Sequence, residues 1–268
     1  MGVMGGAQVL WNGSPCADWH DSARYNHAGN LDLFGWTGEW LVRNRQFQSD
    51  MKALPCRLAA EQYAPIIECA ETEHVRQWGA CCFEIDGRPV LCWLPERNPL
   101  VLKVEAWPAQ SSSGSFDFRD CSLLKVVVRM GTEGQYILFS DGARHLQLAL
   151  SGSDPFAGPV NLRCTLCGMA EFETKSILLR RLSGLHRHQR FLGSLYPVER
   201  RAGRWVNMLR AWDGIEAGAS RRDIATVLFG QRAATEDWDA GYRTRVQRLI
   251  RSARRIVEGG YLKLLKQV

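Results

Sequence analysis

The stretch that most constrains this chain runs from Tyr242 to Glu258. Tyr242, Val246, Leu249, Ile250, Ala253, Ile256 and Val257 fall on one side when the chain turns about 100° per residue, so a helix there has one apolar face. Thr244, Arg248, Arg251 and Arg255 fall near the opposite face, with Gln247 and Arg254 on one flank and Arg245 on the other. Such a helix must bury one side against another element and leave its cations in water, because unpaired charges are not buried. Gly259–Gly260 stops it.

The residues upstream supply what it packs against. Trp205, Met208, Leu209, Trp212 and Ile215 recur at helical spacing, and Gly218 is placed as a terminator. Ser220 restarts a helix as an N-cap, with Asp223 three residues on in place of the Glu of a capping box. Ile224, Val227 and Leu228 give that short helix its apolar face, and Gly230 ends it. A polar turn, Gln231 to Asp239, leads into the basic helix. Helix, capped short helix, turn and basic helix make the outline of a helix-turn-helix. The pattern predicts one helical unit over 199–268, around Trp205, Leu209, Trp212, Ile224, Leu228, Val246, Leu249 and Ile250.

Charge points the same way. Residues 174–268 hold 20 Lys+Arg against 8 Asp+Glu, whereas residues 1–173 hold 14 against 20. A basic C-terminal part on an acidic N-terminal part suits a polyanion partner for the former and a supporting or protein-binding role for the latter. The composition is that of a soluble globular protein, 46% hydrophobic and 23% charged. No apolar run is long enough to cross a bilayer, and no export signal opens the chain, so a cytoplasmic location away from membranes is expected.

The remaining chain reads as α+β. Residues 1–17 are a Gly-rich tail, and 18–52 a small helical module whose aromatics (Trp19, Tyr25, Phe34, Trp36, Trp40, Phe47) form a core. Residues 53–173 are a β-rich middle domain opened by a helix over 58–78, interrupted at Pro65. About seven strands follow, two of the hairpins turning at Asp86–Gly87 and Asp141–Gly142, with a flexible Ser-rich loop at 111–115. A bridging helix occupies 174–198, from Lys175 to Tyr196, closed by Pro197.

Motifs for catalysis are missing. There is no Gly-rich phosphate loop, no HExxH and no GxSxG. Cys164 and Cys167 form a lone CxxC, short of the four ligands of a structural zinc site, and Cys164 keeps step with Leu162 and Leu166 as a core strand residue would. The nine scattered cysteines read as reduced thiols, Cys81–Cys82 among them as core filling. The expectation is a non-enzyme with no metal and no cofactor.

Certain runs resemble a known family. Leu209-Arg210-Ala211-Trp212-Asp213-Gly214, Gly218 to Ala225, Leu228-Phe229-Gly230, Trp238 and Gly259-Gly260-Tyr261-Leu262-Lys263-Leu264-Leu265 are similar to a proteobacterial C-terminal module, formerly a domain of unknown function. That module is a helix-turn-helix variant in activators and antiactivators of integrative and conjugative element transfer. Trp19, Tyr25 and Gly35-Trp36 through Glu39-Trp40-Leu41, Arg43-Asn44 resemble its N-terminal companion in the two-module, activator-like members. The resemblance implies a transcriptional regulator that meets double-stranded DNA, with RNA polymerase or a related regulator as a further partner. Its shorter relatives bind activators in place of DNA, so an antiactivator that captures a related activator is the alternative.

On the DNA reading, Arg221 and Arg222 meet phosphates beside a helix N-terminus. Arg243, Thr244, Gln247, Arg248 and Arg251 face the groove, and Arg255 takes a further phosphate. A DNA reader keeps this face open and positive, whereas a protein binder covers it with acid or presents an apolar groove.

Overall fold

The structure, a computed structural model, describes residues 18–265 apart from 61, 86, 87, 112, 113, 132, 133 and 167. It is α+β, with N-terminal helices, a seven-stranded mixed sheet and a helical C-terminal region. The predicted Gly-rich tail, the Asp86–Gly87 turn pair, part of the Ser-rich loop and Cys167 lie outside the described residues.

A 3-10 segment, Ser22–Asn30, leads into α1 (Leu33–Leu41) and α2 (Arg45–Lys52). Asp32 caps α1 by accepting from the Gly35 amide at 2.8 Å, and it also accepts from the His145 amide at 2.8 Å. One carboxylate thus starts the helix and ties it to the sheet. Asn44 caps α2 in the same way, accepting from Gln46 and Phe47. The predicted aromatics are buried, Trp36, Trp40 and Phe47 completely. They do not close on themselves: the Trp36 ring meets Trp205 edge-on at 5.0 Å, and α1 packs against the C-terminal end of the chain.

The helix expected over 58–78 is not there. In its place stand β1 (Cys56–Ala60), β2 (Pro65–Cys69) and a one-turn-and-a-half helix, α3 (Glu73–Trp78), capped by Thr72. The reason lies in the partners. Ile66 and Ile67 are β-branched and pair in parallel with Val127 and Val128 of a central strand, and Pro65, which lacks an amide proton, sits at the strand's first position. Local periodicity does not carry such long-range pairing. The same hairpin sets Cys56 opposite Cys69 with their α-carbons 4.5 Å apart, and the two form a disulfide. This corrects the expectation that all thiols are reduced, whereas Cys81, Cys82, Cys92 and Cys121 are free and buried.

β3 (Ala80–Ile85) and β4 (Arg88–Trp93) form a separate hairpin. β5 (Val101–Pro108), β6 (Leu124–Met130), β7 (Gly134–Ser140), β8 (His145–Gly152) and β9 (Val160–Arg163) complete the sheet, in the order β1-β2-β6-β7-β8-β5-β9. The β2–β6 and β5–β8 pairs are parallel and the others antiparallel. Gln147, fully buried on β8, clips the small hairpin to the sheet: its amide oxygen accepts from the Trp93 amide at 3.0 Å and its amide nitrogen donates to the Trp93 carbonyl at 2.7 Å. Cys164 lies just past β9, half-buried, and Leu166 is exposed, so the predicted core strand ends earlier than their alternation implies.

The bridging helix is α4 (Phe172–His188), which packs on β5 and β8. It ends well before Pro197, because Gln189 takes a left-handed conformation and turns Phe191 and Leu195 into the core. Then come α5 (Ala202–Glu216), α6 (Arg221–Phe229), α7 (Gln231–Ala234), α8 (Arg243–Arg255) and α9 (Tyr261–Leu264). Gly259, at φ 124°, makes the kink between the last two.

Candidate nucleic-acid interface

α8 lies against α5 and touches α6, and the division of its faces follows the apolar pattern. Val246, Leu249, Ile250, Ala253 and Val257 are buried, as are Trp205, Met208, Leu209 and Trp212 on α5 and Ile224 on α6. Leu228 is half-buried at the margin of this core. On the other side Arg243, Thr244, Arg248, Arg251 and Arg255 are exposed, and Gln247 is half-buried. Arg254 reaches Glu258 at 4.0 Å, whereas Arg243, Arg248, Arg251 and Arg255 have no ion pair among the described residues. The face is therefore a set of cations without carboxylates to neutralise them. Such a face can donate to phosphate oxygens and to the acceptor atoms of guanine.

α6 is started by the predicted capping box. The Ser220 hydroxyl accepts from the Asp223 amide at 3.2 Å, and the Asp223 carboxylate accepts from the Ser220 amide at 2.9 Å. These bonds to Ser220 hold the Asp223 carboxyl below its ordinary value. Arg221 and Arg222 follow on the first turn, both exposed. Their settings differ, because the Arg222 guanidinium lies over the Trp238 ring, 5.5 Å from its centroid.

The segment joining α6 to α8 is more built than a polar turn. It holds α7, and Ala233, Ala234 and Trp238 are buried in it. Beside it Arg245 lies over Phe229 at 4.2 Å and near Tyr242 at 5.8 Å, the two rings being 5.4 Å apart. Arg245, a flank residue in sequence, is thereby held at the junction of α6 and α8. The connection is longer than the turn of about three to four residues that joins the two helices of a helix-turn-helix.

A second charged group sits beneath the interface and has no sequence motif of its own. The Asp213 carboxylate, inside α5, accepts from Arg43 Nε at 2.8 Å, Arg43 Nη2 at 2.9 Å and the Tyr25 hydroxyl at 2.7 Å. Arg43 also donates to Glu39 Oε2 at 2.7 Å, and Glu39 in turn meets His27 Nε2 at 3.0 Å. The side chains of Arg43 and Asp213 are only 2% and 6% exposed. Burial works against the Arg43 charge, yet the Asp213 and Glu39 carboxylates outweigh it and raise its proton affinity. Burial likewise pushes Glu39 up, but His27 and Arg43 overcome it and hold that carboxyl at about 2. The hydrogen bond to Glu39 raises His27.

Arg210 adds a further tie, donating to the Trp19 and His20 carbonyls at 3.2 and 2.8 Å, and Asn44 donates to the Val257 carbonyl at 3.0 Å. The N-terminal helices are thus fastened to the back of α5 and to the end of α8. One available signal marks Asp213: it stands four residues after Leu209 and eight after Trp205, on the apolar side of its helix, where a charge needs a buried partner.

Residues 168–266 match a family model described as "T6SS, Transcription factor, DNA binding domain", and residues 18–81 match one described as "Proteobacterial transcriptional regulator-like domain". The chain is a transcription factor with a DNA-binding domain. The DNA-binding match implies a regulator and not an enzyme. It takes in α4 as well as α5 to α9, and the N-terminal match takes in α1, α2 and the β1–β2 hairpin. No curated protein matches the chain. Among the described residues no helix is long and apolar enough to cross a membrane, and no three His, Cys, Asp or Glu side chains are grouped to hold a metal.

Proposed function

We propose that the chain is a sequence-specific activator that reads double-stranded DNA with the outer face of α8. Arg243, Thr244, Gln247, Arg248 and Arg251 enter the major groove, and Arg221, Arg222 and Arg255 take phosphates on its rim. The observation that carries this reading is the state of the α8 cations: exposed, contiguous and without acidic partners among the described residues. An antiactivator that captures a related activator would be better served by an acidic or apolar cover over that face. Arg222, lying over Trp238, is the phosphate contact with the least freedom to move.

The target we propose is an operon of a mobile or conjugative element, on the resemblance of the Leu209–Gly214, Gly218–Ala225 and Gly259–Leu265 runs. The family description for 168–266 carries the word T6SS, which points to another class of target. A genome-wide map of sites bound by the tagged chain, with transcript levels in its absence, tests both points. Peaks at mobile-element promoters whose transcripts fall on deletion are the expected result. No peaks, together with recovery of a helix-turn-helix activator in a pull-down, would replace the activator reading with the antiactivator one.

A further inference from the structure

We infer that a groove on the second half of α4 grips the phosphodiester backbone of the duplex that α8 reads; this rests on the DNA reading above. Between Ser176 and Val198 the chain has four arginines and two histidines and no carboxylate. The structure gathers several of them. A groove of about 490 Å³ runs between α4 and the turn at 192–195, lined by Arg180, Ser183, Arg187, His188 and Ser194 with no acid in its wall. Arg180, Ser183 and Arg187 follow one stripe of the helix and are exposed, and neither arginine has an ion pair among the described residues. Elsewhere the surface cations Arg57, Arg76, Lys103 and Arg119 are each paired with a carboxylate.

The groove is fixed from below. Gln189, at φ 53°, ends the helix and sends the chain back along it. At Gly184 a β-carbon would stand 3.3 Å from Leu192, so the glycine lets the returning chain come close. Arg181, buried between them, donates to the Leu195 carbonyl at 3.1 Å and lies over the Tyr196 ring at 4.0 Å. The walls are therefore set before any ligand arrives, which lowers the cost of ordering them on binding.

The chemistry suits a phosphodiester. The carbonyl end of α4 repels anions, so attraction here comes from the guanidinium groups alone, with the serine hydroxyls as neutral donors. No Phe, Tyr or Trp lines the groove and His188 is its one ring, so its main donors are the guanidinium groups, which suit backbone phosphate. The matched DNA-binding region begins at residue 168, ahead of α4, although α4 packs on the sheet and lies outside the group formed by α5, α6 and α8.

The test is a salt-titrated binding assay of the full chain on a long duplex of arbitrary sequence and on one too short to span both surfaces. The Arg180→Ala/Arg187→Ala pair is measured beside Arg248→Ala, with Arg187→Glu as a second variant and the thermal midpoint as a control for folding. The paired variant is expected to lower the salt slope by about two on the long duplex and to match the wild type on the short one. An unchanged slope in both groove variants, while Arg248→Ala still weakens binding, overturns the groove and leaves the α8 reading standing. Failure of the wild type to bind any duplex overturns both. Inorganic phosphate that perturbs the His188 ring resonances of a protein whose slope ignores the groove variants assigns a small phosphate ligand and overturns the duplex.

Discussion

Arg43, just after α1, and Arg248, midway along α8, carry the same guanidinium into opposite surroundings. Arg43 is met by two carboxylates and shut from water, and its five donors are largely spent inside the protein. Arg248 stands in solvent with no acidic partner among the described residues. An arginine's setting here follows from whether a carboxylate lies within reach of it in the fold. On the hub formed by α1, α2 and α5 the charges are complementary and closed, whereas on the outer face of α8 they are left for a partner to complete.

Breaking the closed side should cost most. Asp213→Ala strands the Arg43 charge and the Tyr25 hydroxyl, and should lower stability by about 3–5 kcal/mol in denaturant unfolding. Replacing both members, Arg43→Met with Asp213→Leu, should recover much of that loss, because the apolar pair needs no compensation. A double variant as unstable as the single one would show that the network does more than neutralise itself. Next in size is Leu249→Ala, on the buried side of α8, at about 2–5 kcal/mol. A loss below about half a kcal/mol would mean that the helix is not packed there.

Arg248→Ala sharpens the contrast, since it should leave the thermal midpoint unchanged while weakening binding to a cognate promoter fragment by about 1–3 kcal/mol. A drop in stability with binding intact would reverse the roles assigned to the two arginines. Ser220→Ala removes the α6 cap and should cost about 1 kcal/mol of stability. The smallest effect concerns His27. Its proton affinity is raised by Glu39, so its contribution is full below its ordinary value of 6.5 and is lost as pH climbs through the raised value. Glu39 behaves oppositely: its contribution is present above 4.5 and lost as pH falls toward about 2. His27 is half exposed and solvent screens it, so His27→Gln should only flatten the midpoint-against-pH curve on the alkaline side.

The helices of the interface were legible in sequence because each has local punctuation. Ser220 with Asp223 starts α6, Gly259 closes the region of α8, and the apolar period assigns the buried face without knowledge of the partner. The β1–β2 hairpin was not legible, because the pairing of Ile66 with Val127 joins residues that share no local pattern. α4 ended early for a similar reason: Gln189 carries no glycine-like signal for its left-handed turn, and Leu192 and Leu195 continue a helical spacing that the chain abandons. The Arg43–Asp213 pair spans 170 residues of sequence, so its two ends were each visible and their meeting was not.

That pair has a consequence for how the chain would sit on a promoter. A reader joined to its sheet by a slack tether presents the sheet equally well from either side of the double helix. Here Arg43, Arg210 and Asn44 bolt the N-terminal helices to the reading unit, and Asp32 bolts them to the turn between β7 and β8. If α8 enters the groove as proposed, the sheet would project in one azimuth set by that groove. Such a protein behaves as a compass needle for its site: shifting the site by a whole turn of the duplex keeps the sheet aimed at the same neighbour, and shifting it by half a turn aims it away.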